Sequence, residues 1–71
     1  MRLLNKRVLL KAVIKEVMGI EEIDHYEVAY IGDEVTKVKK KDIVIYEQGA
    51  KINILGKDYV DVLEGNIVCI L

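Results

Sequence analysis

Apolar residues in this chain fall into short runs that end at glycine, aspartate or asparagine. The first run, residues 7–15, fits both a strand spacing of two and a helical spacing of three to four. Its branched side chains favour the strand. The later runs are five or six residues long, rich in Val and Ile, and bounded by turn-forming residues, as strands are. They are Glu27–Ile31, Asp42–Tyr46, Lys51–Leu55, Asp58–Leu63 and Asn66–Leu71.

The connections between these runs are short. Residues 16–26 contain Gly19 and several acidic residues, and we predict a loop there. In Leu55-Gly56-Lys57-Asp58, glycine stands at the first central position of a two-residue hairpin turn, which predicts type II′. Six short strands with tight connections predict an all-β fold, a small β-barrel or sandwich, in a single domain covering residues 1–71.

Composition agrees with a β fold and raises a question of stability. The chain has ten Val and ten Ile but no Phe, Trp or Pro, and branched side chains suit a pleated sheet. A domain this small buries only about 60% of its unfolded surface. The single cysteine, Cys69, cannot form an internal disulfide. We therefore predict that the chain self-associates.

Charge argues against several classes of function. The net charge of -1 is unlike that of a general nucleic-acid binder, so we expect no nucleic-acid partner. No apolar run approaches the 18 residues of a membrane span, and charge returns too early in residues 1–7 for a signal peptide. We therefore expect no membrane partner and, with one cysteine, a reducing cytoplasmic location. Residues 1–15 are basic and residues 16–34 acidic, either as solvated faces or as faces that meet between subunits.

Reactive side chains are few, so we expect no enzyme activity, no cofactor and no metal. His25 lacks further ligands at metal-binding spacing and is predicted to be an exposed loop residue. Cys69 has apolar neighbours and is predicted to be an inert residue of the core or of an interface. The basic segment Lys37–Lys41 contains no aromatic residue that could stack on bases, so a solvated turn is favoured there.

Four collinear segments resemble the GroES-type co-chaperonin family. Residues 38–46 (VKKKDIVIY) are similar to its Val-x-x-Gly-Asp-x-Val-x-Phe/Tyr segment, with Lys41 at the position of the glycine. Residues 49–71 resemble its C-terminal half, with a hairpin, a Tyr-Leu-x-Leu-like strand, a polar turn and an Ile-Leu-Ala-Ile-like end. Residues 2–11 resemble its opening Arg-Pro-Leu-x-Asp-Arg-Val-x-Val-Lys, and residues 27–32 its Gly-x-Val-x-Ala-Val-Gly strand.

This resemblance implies a GroES-like, partly open β-barrel that assembles into a homo-oligomeric ring, a heptamer in that family. The ring would cap a large chaperonin, which alone binds and hydrolyses ATP, and would assist protein folding without catalysis of its own. In the family, the first strand of one subunit pairs with the last strand of its neighbour. Carried over, the subunit interface comprises Leu3, Leu4, Val8, Leu10, Ile67, Val68, Cys69, Ile70 and Leu71.

Two departures from the family concern its contact with the chaperonin and its roof. The family's long mobile loop would here be reduced to about residues 15–26, with Val17, Met18, Gly19, Ile20 and Ile23 as an altered chaperonin-binding segment. These residues could equally lie against the barrel. The roof hairpin is cut to about residues 32–37, as in virus-encoded members, which points to a viral origin. The alternative function is a structural or adaptor ring, for example in a virion, that no longer binds a chaperonin.

Overall fold

Six β-strands and one 3₁₀ turn make up the fold in the computed structural model, which describes all residues from Met1 to Leu71. They form a single antiparallel sheet, so the all-β prediction is confirmed. The sheet is not closed, because β4 and β6 remain as its two edges in the order β4-β5-β1-β2-β3-β6. The strands are β1 (Arg7–Val17), β2 (Ile20–Ile31), β3 (Ile43–Tyr46), β4 (Ala50–Ile54), β5 (Lys57–Leu63) and β6 (Ile67–Ile70), and the 3₁₀ turn is Glu64–Asn66.

The core is small and made almost entirely of valine. β1 is a strand, not a helix, and its alternation turns Val8 and Leu10 inward, where both are fully buried. Only 10 of the 71 residues are buried, so much of the apolar content stays at the surface of the single chain. The buried cluster consists of Val8, Leu10, Val28, Val38, Val44, Val60 and Val62.

Residues 16–26 are not a loop, contrary to the prediction from their acidic residues. β1 continues to Val17 and β2 starts at Ile20, so only Met18 and Gly19 lie between them. Both have positive φ, 51° and 79°, as a type I′ turn requires. This turn matches the right-handed twist of the strands that it joins, so the two strands stay paired up to the turn.

The turn between β4 and β5 is also type I′, not the predicted type II′. Its central residues are Leu55 and Gly56, with φ of 51° and 83°, and Ile54 pairs with Lys57. The turn therefore starts one residue earlier than the sequence predicts. Glycine takes the second central position, and leucine adopts the left-handed conformation at the first.

The connection from β2 to β3 also contains a left-handed residue. Lys41 has φ of 76°, and its backbone N–H donates to the carbonyl oxygen of Val28 at 2.8 Å. Asp42 accepts a hydrogen bond from the backbone N–H of Lys39 at 3.0 Å and holds the bend. A lysine in this conformation is strained by contact between its Cβ atom and the backbone.

Replacement of Lys41 by glycine is expected to raise the free energy of unfolding by about 0.5–1 kcal/mol. Relief of left-handed strain, about 1–2 kcal/mol, outweighs the greater freedom that glycine has in the unfolded chain. Denaturant titration of Lys41→Gly measures the difference. Lys40→Gly is the matched control and should be destabilised, because Lys40 is absent from the positive-φ residues. A loss of stability in Lys41→Gly would contradict the explanation.

Candidate interaction site at the end of the first hairpin

The β1–β2 hairpin extends beyond the rest of the sheet. β1 pairs with β5 only over Arg7–Leu10, and β2 pairs with β3 only at Tyr26 and Glu27. Residues 11–25 therefore form a two-stranded ribbon with no strand on either side, here called the ribbon. Because neighbouring strands are absent, nearly all of its residues are exposed.

The two faces of the ribbon differ in chemistry. On one face, Ile14 lies opposite Ile23, and both side chains are about half exposed. On the other face, the ammonium group of Lys15 lies 3.4 Å from a carboxylate oxygen of Asp24, and that of Lys11 lies 3.8 Å from Glu27. Ion pairs across the strands thus help to hold the ribbon on the face of Lys15, and the pair of Ile14 and Ile23 supplies apolar surface on the other face.

The end of the ribbon is an exposed apolar surface. Met18 is 97% exposed and Ile20 is 65% exposed, and Val17 lies directly opposite Ile20. The five residues predicted as a chaperonin-binding segment therefore lie at and near this end, with Ile23 on the face opposite to that of Val17 and Ile20. A cluster of large exposed apolar side chains marks a site of interaction with another molecule.

His25 lies at the base of the ribbon and not in an exposed loop. It is a half-buried residue of β2, and its Nδ1 atom is 2.7 Å from a carboxylate oxygen of Asp24. This hydrogen bond and the one from Lys15 hold the pKa of the Asp24 carboxyl below its ordinary value. Asp24 therefore stays ionised as a link between the two residues, and the prediction for His25 is wrong.

Val8 and Leu10 belong to the protomer core and not to an exposed interface surface. Both edges of β1 at these residues are occupied within the chain, by β2 on one side and β5 on the other, and both side chains are fully buried. A neighbouring strand has no free edge of β1 to pair with there. Of the predicted N-terminal interface residues, Leu3 is half-buried and bridges to Gly32, and Leu4 is exposed.

The C-terminal part of the predicted interface lies at the edge of the sheet. β6 pairs only with β3, so its outer edge is unpaired. Val68, Ile70 and Leu71 are exposed large apolar residues of this segment. Cys69 is exposed as well, so it is not a residue of the core. An apolar strand with a free edge is a surface on which another strand can pair.

Glu64 is a buried acidic residue whose structural role has no local signal in the sequence. It is only 9% exposed, and its Oε2 atom accepts backbone N–H groups from Lys37 at 2.7 Å and Thr36 at 2.9 Å. These hydrogen bonds, that from Lys37 first, lower the pKa of the Glu64 carboxyl below its ordinary value of 4.5, although burial opposes them. Glu64 thereby fastens the β2–β3 connection to the 3₁₀ turn that leads into β6.

An apolar groove opens beside the base of the ribbon. It has a volume of about 400 Å³ and lies between the ribbon and the β4–β5 hairpin. Ile23 and Tyr26 line one side, and Ile52 and Tyr59 line the other.

No group of three or more His, Cys, Asp or Glu residues is placed to hold a metal ion. The structure also contains no helix that is long and apolar enough to cross a membrane.

Comparisons with known proteins leave the family of this chain open. The sequence matches no protein-family model, and it matches no curated protein.

Proposed function

We propose that this chain is a co-chaperonin-like ring subunit, itself non-catalytic, that caps a large chaperonin and assists ATP-dependent protein folding in the cytoplasm. The exposed apolar end of the ribbon carries the proposal. Met18 is almost fully exposed and Ile20 is about two-thirds exposed, and both project beyond the sheet where a partner can reach them. Apolar side chains of this kind suit a groove lined by aliphatic residues on the partner.

The backbone at Lys41 supports the resemblance to the GroES-type family. Lys41 stands where the family has glycine, and its φ of 76° lies in the region that glycine adopts most readily. The bend before β3 thus has the conformation that a glycine there would suit, although the side chain has changed. A backbone conformation that suits glycine at this position is stronger support than similarity of composition alone.

Surfaces that are exposed in the single chain support its assembly into a ring. The outer edge of β6 is unpaired, and Val68, Ile70 and Leu71 beside it are exposed. The N-terminal residues 1–6, with exposed Leu4, could cover that edge in a neighbouring subunit. Pairing there would bury apolar surface and remove an edge prone to aggregation. We restrict the proposed interface to Leu3, Leu4 and residues 67–71.

A structural or adaptor ring is the second candidate. The ordered structure of the ribbon favours this candidate. Its strands are paired up to a two-residue turn, whereas the resemblance to the co-chaperonin family implies a mobile loop there. Glu21 and Glu22 next to Ile20 also place charge beside the apolar end. Such a ring would use the same β6 edge for assembly but would not bind a chaperonin.

Native mass spectrometry of the purified protein at several concentrations is expected to show a species of about 57 kDa, as for a ring of seven chains of 8.1 kDa. A persistent monomer would contradict both ring functions. If the ring forms, retention on an immobilised large chaperonin with ATP separates them. Retention supports the co-chaperonin, and failure of an intact ring to bind supports the structural ring.

A further inference from the structure

We propose that Leu55, at the turn between β4 and β5, is a second apolar contact with the partner that Met18 engages. The inference rests on the proposed function, since it assumes that the end of the ribbon binds a chaperonin. Leu55 is 97% exposed, as is Met18, and no other large apolar side chain is as exposed as these two. Neither the sequence pattern nor the resemblance assigns Leu55 a role.

The two turns lie at the same end of the sheet. β1 runs toward Met18, and β5 runs antiparallel to β1 and begins directly after the turn at Leu55 and Gly56. The pairing of β1 with β5 ends at Leu10 and Val60, so Met18 lies eight residues beyond the last pair along β1 and Leu55 lies five residues beyond it along β5. With a rise of about 3.3 Å per residue, the turn at Met18 extends roughly 10 Å farther along the strand direction than the turn at Leu55, and the apolar groove lies between the two hairpins. A single partner surface can contact both.

The two turns also share an unfavourable residue choice. Each is type I′ with an apolar residue at the first central position and glycine at the second, and Met18 and Leu55 both have φ of 51°. Asn, Asp and Gly are the residues that suit the first position, and a larger side chain is strained there. Neither side chain gains burial in return, because both are almost fully exposed. Contact with a partner would supply that missing burial at both turns.

Charge beside the two turns specifies the partner further. Glu16, Glu21 and Glu22 flank Met18, whereas Lys57 follows the turn at Leu55, and none of these residues forms an ion pair within the chain. The partner surface therefore has two aliphatic depressions with different surroundings. The one for Met18 is bordered by basic groups, and the one for Leu55 has no charge preference, because Asp58 next to Lys57 balances its charge.

Leu55→Asn and Met18→Asn test the inference, because each variant should raise the melting temperature and weaken binding to the partner. Asparagine suits the first position of a type I′ turn, so each variant is expected to melt a few degrees above the wild type. Each is also expected to weaken retention on an immobilised large chaperonin with ATP by about tenfold or more, because an apolar contact is lost. Leu63→Thr is the control, since Leu63 is exposed at the opposite end of β5.

The outcomes separate the inference from the proposed function. Weaker retention of both asparagine variants, with Leu63→Thr unchanged, supports two contacts. If Met18→Asn loses retention while Leu55→Asn binds like the wild type, Leu55 is only a poor turn residue and the inference is wrong. If the wild-type ring is not retained at all, the proposed function and the inference fail together.

Discussion

Replacement of both Ile20 and Ile23 by aspartate is expected to abolish retention of the ring on a large chaperonin with ATP. Both side chains are more than half exposed in the single chain, so the fold does not depend on burying them. The change removes two apolar contacts and adds charge beside Glu21 and Glu22. Because every subunit of a ring would carry the change, the loss is multiplied by the number of ribbons that bind, and we expect a decrease of at least about 100-fold.

Conservative replacement of the same residues by valine is the matched control and should retain most of the binding. Melting of the aspartate variant, followed by circular dichroism, shows whether the ribbon remains part of a folded chain. Survival of both chaperonin capture and ATPase modulation in the aspartate variant would show that the end of the ribbon is not the binding segment.

An ordered ribbon has a thermodynamic consequence for binding. A mobile loop must lose conformational entropy when it folds on its partner, which reduces the affinity obtained from a given contact area. In this chain the cross-strand pairs Lys15–Asp24 and Ile14–Ile23 already hold the strands in register. A small apolar end of only a few residues can then contribute more of its contact energy to binding.

The strands were predictable where one face of the sheet is buried. Residues 58–63 and 43–46 alternate between core and surface, and their branched side chains fit a pleated sheet with a valine core. Segment 7–15 was assigned correctly to a strand from its branched side chains, since its spacing also fitted a helix. In residues 58–63 and 43–46, composition and alternation indicate the same structure, so the local pattern was sufficient to predict these strands.

The ribbon was missed because its alternation is interrupted. β2 has an extra residue near Asp24, where the partner of Val13 is His25 but the partner of Ile14 is Ile23. A bulge of this kind shifts the side chains on one strand by one residue, so residues 20–26 do not alternate regularly. Acidic residues on a ribbon exposed on both faces then look like those of a loop.

Glu64 gave no local signal because its partners are distant in the sequence. Thr36 and Lys37 lie 28 and 27 residues away, and they offer backbone N–H groups whose position depends on the whole fold.

The placement of Val8 and Leu10 in the core was likewise decided by the topology of the sheet. Both edges of β1 are paired within the chain, which neither alternation nor resemblance could specify.

Replacement of Glu64 by alanine is expected to lower the free energy of unfolding by about 2 kcal/mol, or roughly 10 °C in melting temperature. The change leaves the N–H groups of Thr36 and Lys37 without their acceptor in a poorly solvated site. Thermal and urea unfolding at neutral pH measure the loss. Glu64→Gln is the matched control, since its amide oxygen can still accept, and it should lose less stability.

The acid dependence of unfolding distinguishes the ionised carboxylate from a merely space-filling side chain. The pKa of Glu64 is lower in the folded chain than its ordinary value of 4.5, so its ionised form stabilises the fold fully above that pH. This contribution is lost as pH falls through the lowered folded pKa, and Glu64→Gln should lack that part of the acid transition. Equal acid sensitivity in Glu64→Gln and the wild type would assign the transition to other carboxylates. Glu64 links the segment between β2 and β3 to the turn before β6. Glu64→Ala should therefore also weaken ring assembly, because the edge strand β6, which the interface requires, would become disordered.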